Sequence, residues 1–246
     1  MDEFFNNKTY LVTGASSGIG RAVSRDLLKS GANILLLARN HNGLLETAAG
    51  FDQEKFLPLM CDLSQLNSIE STIRKGFSWK EGIDGVVYCA GIGGRARLRD
   101  TSMEYMRSRM DVNCFAFVEV IRSIIRLKKK SDALAVVTIS SMAALAHHRY
   151  LTAYSASKAA LEAAAKAMST ELYKRNVRIN IIRPAYVDTP MIEDPLGNVR
   201  DMIKEDYQPL GIIDPAEVSK LALFLLNTGA KRINGAVFEL NAGAFD

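Results

Sequence analysis

Seven short, apolar, β-favouring segments alternate with longer amphipathic segments along the chain. The short segments span residues 9–13, 33–38, 55–60, 83–89, 133–140, 177–183 and 236–240. The longer segments have helical periodicity and span residues 18–30, 64–75, 101–130, 153–175 and 215–227. Because this alternation builds right-handed βαβ units, it predicts an α/β fold of the Rossmann type, with a doubly wound, seven-stranded parallel sheet and helices on both faces.

Length and composition predict one domain over residues 1–246. A chain of 246 residues, with 48% hydrophobic and 24% charged residues, has the size of one globular domain with a full core. The least regular stretch is 190–213, which has no clean period. It predicts a substrate loop or a helical flap.

Net charge and cysteine usage argue against several classes of protein. With 31 Lys and Arg against 27 Asp and Glu, the formal net charge of +4 is too small to predict nucleic-acid binding. Cys61, Cys89 and Cys114 are odd in number and show no paired metal-ligand spacing, so we expect buried thiols and no metal site. The first residues hold no apolar stretch of signal length, and no run of about 18 apolar residues occurs. We therefore expect a soluble cytoplasmic protein.

A glycine-rich turn lies between the first predicted strand and the first predicted helix. Residues 13–20 read Thr-Gly-Ala-Ser-Ser-Gly-Ile-Gly, a Gly-xxx-Gly-x-Gly spacing. Glycine lets the turn tighten and lets backbone N–H groups approach an anion, which the dipole of the following helix attracts. This context favours a dinucleotide pyrophosphate over a merely flexible turn. The residues expected to hold it are Gly14, Ser16, Ser17, Gly18, Ile19 and Gly20.

The end of the second predicted strand bears on which dinucleotide binds. The strand ends at Ala38 without an acidic residue, and Arg39 follows directly. A carboxylate there would accept hydrogen bonds from the ribose of NAD, whereas a guanidinium suits the 2′-phosphate of NADP. Arg39 therefore predicts NADP(H), with a solvated surface arginine as the alternative. Asp62, after the third strand, is expected either to meet the adenine amino group or to cap the next helix.

Tyr154 and Lys158 lie four residues apart at the start of an Ala-rich helical segment. This spacing puts both on one helix face, and an ammonium near a phenol lowers the phenol pKa by about 1 to 3 units. The strand before them ends in Ser140 and Ser141, at the edge where open α/β sheets bind ligands. The alternative is a turn serine and a tyrosine that only packs. The pattern predicts a tyrosine general acid or base that shares a carbonyl oxygen with a serine.

These motifs resemble the classical short-chain dehydrogenase/reductase family over nearly the whole chain. The wide glycine spacing is similar to its cofactor loop, and its reactive serine, tyrosine and lysine resemble Ser141, Tyr154 and Lys158 in order and spacing. The resemblance implies that Asn113 completes a catalytic set of four by holding a water in the proton path. It implies further cofactor contacts, besides those of the tyrosine and lysine, at Leu63, Ala90, Gly91, Pro184, Val187 and Thr189. The residues expected to line the substrate mouth are Gly93, His147 and Tyr186.

Two places depart from the pattern of the family. Tyr88-Cys89 stands where the family commonly has Asn-Asn, which removes two amides that brace the sheet and contact the ribose. Ala185 stands where glycine is usual, and its methyl group is expected to narrow the site beside the nicotinamide. We therefore expect the bracing of the sheet and the choice of substrate to differ from those of the family. Since all four reactive residues remain, we expect the protein to be an active enzyme.

The resemblance implies an NADPH-dependent oxidoreductase that reduces a carbonyl to an alcohol. The end of the chain looks most like the 3-oxoacyl-(acyl-carrier-protein) reductase branch, so a 3-oxoacyl thioester on an acyl carrier protein is one expected substrate. Basic residues within 93–99 and 126–130 suit such an acidic partner, although cations near a helix C-terminus also complement its dipole. The alternatives are an NAD-linked alcohol dehydrogenase and a non-catalytic dinucleotide-binding sensor or scaffold. The resemblance also implies a homodimer or homotetramer built on the long helices.

Overall fold

The chain folds around a seven-stranded parallel sheet with helices on both faces. The structure is a computed structural model that describes residues 3–146, 148–194, 197–198 and 208–244. Numbered along the chain, the first six strands of the sheet are β1 (Thr9–Thr13), β2 (Asn33–Ala38), β3 (Phe56–Met60), β4 (Gly85–Tyr88), β5 (Leu134–Ile139) and β6 (Val177–Pro184). Two short strands, β7 (Glu193–Asp194) and β8 (Gly197–Asn198), form a separate antiparallel pair. The seventh strand of the large sheet is β9 (Val237–Leu240). The α-helices are α1 (Gly18–Lys29), α2 (His41–Ala48), α3 (Leu66–Trp79), α4 (Met103–Met110), α5 (Ala116–Leu127), α6 (Thr152–Leu172) and α7 (Pro215–Leu226).

The strand order is β3-β2-β1-β4-β5-β6-β9, and every pairing in the sheet is parallel. The chain winds outwards from β1 in one direction as far as β3 and then returns to add β4 on the other side. Thr13 is thus in register with both Leu37 of β2 and Tyr88 of β4. This reversal opens a crevice at the carboxyl ends of the strands, where doubly wound sheets bind ligands. The predicted fold class is confirmed.

Both faces of the sheet are buried, so the strands read as continuous apolar runs. Successive side chains of a strand point to opposite faces, and Leu11 and Val12 of β1 accordingly belong to different core clusters. One cluster packs against α3, α5 and α6, and the other against α1, α2 and α7. No helix among the described residues is long and apolar enough to cross a membrane.

Helix α2 is absent from the sequence prediction. It has eight residues and includes Gly43, so its helical signal is weak. It forms because Leu44 and Ala48 pack into the core and because the side chain of Asn40 accepts a hydrogen bond from the N–H of Gly43 at its start. Helix α3 ends at Trp79, four residues beyond its predicted end. The other predicted boundaries agree with the structure to within three residues, except at 101–130 and 190–213.

The helix predicted over 101–130 is interrupted in its middle. Between α4 and α5, Asp111–Phe115 forms a π-helical turn, a feature often found at functional sites. The hydroxyl of Tyr88, at the end of β4, donates to the carbonyl oxygen of Val112 in this turn at 2.6 Å. The interruption thus depends on a contact with a distant strand, which the periodicity of the segment does not contain.

The predicted substrate loop over 190–213 is only partly described. Pro190–Ile192 forms a 3-10 helix, β7 and β8 follow, and residues 208–213 lead into α7. Val187 forms an isolated bridge with Ile213, which ties the two ends of the loop together. Residues 195–196 and 199–207, and also His147, lie outside the described residues.

Candidate active site

A cavity of about 820 Å³ opens at the carboxyl ends of β1, β4, β5 and β6. Its volume lies within the roughly 300–1,000 Å³ of small-molecule sites. Every residue that the sequence predicts for cofactor binding lines it, and so do the predicted substrate residues Gly93 and Tyr186. Ser141 also lines it, whereas Asn113 is fully buried behind its wall. The fold thus brings together residues that are more than 170 positions apart in the chain.

The turn after β1 holds its backbone open to this cavity. Gly14 and Gly18 have φ angles of +65° and +49°, which side chains rarely allow. A Cβ at Gly20 would overlap the carbonyl oxygen of Gly14, so the start of α1 packs directly on the turn. Ser17, at the N-terminus of α1, makes no side-chain capping hydrogen bond with any described residue. The free helix end and the bare backbone fit the pyrophosphate of a dinucleotide.

The region beyond β2 and β3 contains Arg39 and Asp62. Arg39 is exposed and lines the cavity directly after Ala38. Asp62 Oδ1 accepts hydrogen bonds from the N–H of Ser64 at 3.0 Å and from its hydroxyl at 2.9 Å. The backbone hydrogen bond lowers the pKa of Asp62 most, and the hydroxyl of Ser64 and the charge of Arg39 lower it further. Asp62 therefore caps the turn before α3, and it also faces the cavity.

The predicted reactive groups converge on the wall formed by β5 and α6. Ser141 and Tyr154 both line the cavity there, and the hydroxyl of Ser141 is close enough to the phenol to act on its pKa. Ser141 Oγ also accepts from the N–H of Ala143 at 3.2 Å, which holds it at the end of β5. Lys158 Nζ donates to the carbonyl oxygen of Ile139 at 2.8 Å and lies 5.8 Å from the centre of the Tyr154 ring. Hydroxyl, phenol and ammonium thus face one cavity from two adjoining elements.

The predicted lowering of the Tyr154 pKa is wrong for this structure. Burial raises the pKa of Tyr154, the hydrogen bond from Ser141 opposes that rise, and Tyr186 adds to it. Lys158 is not among the groups that shift the pKa of Tyr154: its ammonium lies over the ring, 5.8 Å from the ring centre, and donates to the carbonyl oxygen of Ile139. Burial lowers the pKa of Lys158 itself to about 8, and the electrostatic effects of Cys89 and Glu162 oppose this change. Loss of water is thus the largest effect on the pKa of both groups.

Asn113 lies in the π-helical turn and connects two walls of the site. Its Oδ1 accepts from the N–H of Ile92 at 2.8 Å, and its Nδ2 donates to the carbonyl of Ile92 at 3.1 Å and to Ser157 Oγ at 2.8 Å. Both amide hydrogens are therefore used within the fold. The side chain braces the loop after β4 against α6, and its role in the proton path stays a prediction.

Tyr88 and Cys89 take the place of the two amides found in the family. Besides its hydrogen bond to the π-helical turn, Tyr88 packs edge-on against Phe117 with the ring centres 5.3 Å apart. It thus replaces the bracing that the sequence put in doubt. Cys89 lines the cavity near Lys158, and burial raises its pKa to about 12, so it is an uncharged thiol at neutral pH. Ala185 lines the cavity with an ordinary negative φ, so its backbone does not need glycine.

Sequence reasoning missed two groups that support the site. Gln208, 1% exposed, accepts from the N–H of Tyr186 at 3.0 Å and donates to its carbonyl oxygen at 3.1 Å, which fixes Tyr186 beside the cavity. Glu162 lies one turn after Lys158 and pairs with Arg183 at 2.6 Å. The four-residue spacing from Lys158 to Glu162 was a visible signal, whereas the partners of Gln208 and Glu162 are set by tertiary structure. Among the described residues, no cluster of His, Cys, Asp or Glu could hold a metal ion.

Comparison with known proteins gives consistent matches. Residues 8–196 match the family described as short chain dehydrogenase. A 3-oxoacyl-(acyl-carrier-protein) reductase of Chlamydia trachomatis is 30% identical over 244 residues, which cover 96% of this chain and 97% of that protein. Carbonyl reductase family member 4 of Xenopus tropicalis is 31% identical over 237 residues, 96% and 97% of the two chains. The crystal structure of a dehydrogenase/reductase from Sinorhizobium meliloti superposes with a TM-score of 0.89 at 28% identity and covers 99% of this chain and 98% of that one.

Proposed function

Because the chain belongs to the short chain dehydrogenase family, we propose that it is an NADP(H)-dependent oxidoreductase that reduces a carbonyl to an alcohol. The observation that carries the proposal is that Ser141 and Tyr154 line the same cavity as the glycine turn. Lys158 is buried beside them. The phenol, the serine hydroxyl and the ammonium thus face the part of the cavity next to the glycine turn, whose backbone fits the pyrophosphate of a dinucleotide.

The chain's own residues would handle the proton and the substrate oxygen. When bound, the nicotinamide supplies a hydride to the carbonyl carbon. Tyr154 donates its hydroxyl proton to the oxygen of the substrate, while Ser141 donates a hydrogen bond to the same atom. The raised pKa of Tyr154 keeps its hydroxyl protonated at neutral pH, which is the state that reduction requires. Lys158, with its pKa at about 8, is still mainly an ammonium there, so it supplies a positive charge on the same wall of the cavity as Tyr154.

The proposed preference for NADP(H) rests on the end of β2. Arg39 lines the cavity in the position after Ala38, where a carboxylate would suit NAD. Fluorescence titration should show tighter binding of NADPH than of NADH. Arg39→Gln should weaken NADPH binding roughly tenfold and leave NADH binding nearly unchanged, since a charge-assisted hydrogen bond is worth about 1.4 kcal/mol. Tighter binding of NADH by the wild type would instead support the NAD-linked alcohol dehydrogenase.

The substrate side of the cavity is mainly apolar. Ile92, Met142, Leu151 and Met191 line it, together with Arg95, which suits an acyl chain carried by an anionic group. The likeness to the 3-oxoacyl-(acyl-carrier-protein) reductase supports a 3-oxoacyl thioester as the substrate. The basic residues within 126–130 give weaker support for docking of an acidic carrier protein. Lys128 is buried and donates to backbone carbonyls, and Arg126 pairs with Glu70 at 3.1 Å.

Oxidation of NADPH should be measured against acetoacetyl thioesters, simple ketones, sugars and steroids. We expect turnover with the thioesters, and we expect Tyr154→Phe to reduce it by about 10²- to 10⁴-fold while NADPH still binds. NADPH binding without turnover of any carbonyl would favour a sensor or scaffold. Sedimentation of the same protein would test the proposed homodimer or homotetramer, for which Phe115 and Tyr173 are exposed at 44% and 56% on the α5 and α6 side.

A further inference from the structure

Tyr154 and two buried side chains, Lys158 and Glu162, follow one another along a single face of α6. Tyr154, Lys158 and Glu162 are spaced four residues apart, and Lys158 and Glu162 are 4% and 6% exposed. Burying a carboxylate is costly unless it is paired and hydrogen-bonded. Packing alone therefore does not explain why the carboxylate of Glu162 is buried.

Glu162 is fully engaged with the ends of two strands. Its Oε1 accepts from Ser140 Oγ at 2.6 Å and from Arg183 Nε at 2.9 Å, and its Oε2 accepts from Arg183 Nη2 at 2.6 Å. Arg183 Nη1 in turn donates to Glu239 of β9 at 2.5 Å. Ser140 and Arg183 directly precede Ser141 and Pro184 in the wall of the cavity. One carboxylate thus joins α6 to the carboxyl ends of β5 and β6 immediately behind the site.

We propose that Glu162 is a positioning residue of the reaction. It locks the face of α6 that carries Tyr154 and Lys158 against the ends of β5 and β6, and its negative charge, one helical turn away, favours the ammonium form of Lys158. The inference rests on the proposed function, in which Lys158 acts as a cation beside Tyr154.

The groups around Lys158 show why this charge matters. On its own helix it faces Tyr154 and Glu162, from the loop after β4 it faces Cys89, and from β5 it meets only the carbonyl of Ile139. The phenol is neutral because its pKa is raised, and the thiol is neutral because its pKa is about 12. Glu162 is thus the ionised group of opposite charge that acts on Lys158 among the described residues.

Glu162 itself is held in the ionised form. Burial works against its charge, but the hydrogen bonds from Arg183 and Ser140 and the charges of Arg183 and Lys166 lower its pKa overall. The second carboxylate of the network, Glu239, has a side chain 43% exposed and reaches the site only through Arg183. Water therefore screens the charge of Glu239. Glu239→Gln is a matched control for Glu162→Gln, because both variants change one carboxylate to an amide.

The test follows the protonation of Lys158 directly, without turnover. Lysine is labelled with ¹³C at Cε, the Lys158 signal is assigned by its loss in Lys158→Met, and its chemical shift is titrated. The wild type should titrate near pH 8. Glu162→Gln removes the opposing charge and should move the midpoint down by roughly 1 pH unit, whereas Glu239→Gln should move it by less than about a third of that. An unchanged midpoint in Glu162→Gln, or equal shifts in both variants, would overturn the proposal.

A second variant covers the case in which Glu162→Gln misfolds. That change leaves the buried guanidinium of Arg183 without the charge of Glu162. The double variant Glu162→Gln/Arg183→Gln removes both charges and keeps hydrogen-bonding groups in place. It should also lower the midpoint of Lys158, because Glu162 acts on Lys158 more strongly than Arg183 does. A midpoint at the wild-type value in this folded variant would equally reject the idea.

Turnover provides a separate readout. If carbonyl reduction is observed, its decline at high pH should begin at lower pH in Glu162→Gln than in Glu239→Gln. A wild type that turns over no carbonyl, together with the expected shift of Lys158, would reject the proposed function and keep the positioning role. Turnover without the shift would reject only the positioning role.

Discussion

Gly20→Ala tests whether the close contact between α1 and the glycine turn creates the cofactor cradle. A Cβ at Gly20 would overlap the carbonyl oxygen of Gly14 and lie 2.7 Å from its carbonyl carbon and 3.1 Å from the nitrogen of Ala15. Favourable contacts between heavy atoms need about 3.5–4.0 Å. All these neighbours are backbone atoms, so no side chain can rotate away and the start of α1 must move by almost 1 Å.

Two effects on stability oppose each other in Gly20→Ala. Alanine in a helix is favoured over glycine by up to about 1 kcal/mol, whereas overpacking against a rigid neighbour costs about 1–3 kcal/mol. We expect the clash to win and the free energy of unfolding to fall by about 1–2 kcal/mol in urea titrations followed by circular dichroism. The displaced N–H groups should weaken NADPH binding about a hundredfold in fluorescence titrations, as expected for two charge-assisted hydrogen bonds.

Gly229→Ala is the matched control for this substitution. Gly229 also lies in a helical turn, but a Cβ there would meet its nearest atom, in the ring of Phe224, at an ordinary 3.8 Å. It should leave stability and NADPH binding unchanged within error. If Gly20→Ala bound NADPH as tightly as Gly229→Ala does, the turn would not be the anion cradle that the geometry indicates.

Two further predictions concern Tyr88 and Cys89. Tyr88→Phe removes the hydrogen bond to the part-buried carbonyl of Val112 and should lower the free energy of unfolding by about 0.5–1.5 kcal/mol in urea titrations. A change within error would show that the hydrogen bond does not brace the turn. Cys89, with its pKa raised to about 12, should react with iodoacetamide at neutral pH roughly a thousandfold more slowly than a free thiol, as followed by mass spectrometry of its peptide. A rate close to that of free cysteine would mean that the thiol is far more acidic than its burial implies.

Local patterns carried most of the fold prediction. The seven strands of the sheet lie where apolar runs predict them, because a strand buried on both faces must be apolar throughout. The site motifs of the glycine turn and of Tyr154 with Lys158 were readable for a similar reason, since each depends on neighbours within eight residues. The π-helical turn between α4 and α5 could not be predicted from local sequence, because it depends on the contact of Tyr88 with Val112, which are 24 residues apart.

The sequence by itself thus determined the order of the strands and helices along the chain, the glycine turn proposed to bind an anion, and the helix face that carries Tyr154 and Lys158. Only the tertiary structure decided the electrostatics of that face. It raised the pKa of Tyr154 instead of lowering it, and it paired Glu162 with Arg183, 21 residues away. The physical reason is that backbone geometry follows from adjacent residues, whereas the energy of a charge depends on how much water it has lost and on partners that the fold brings from far along the chain.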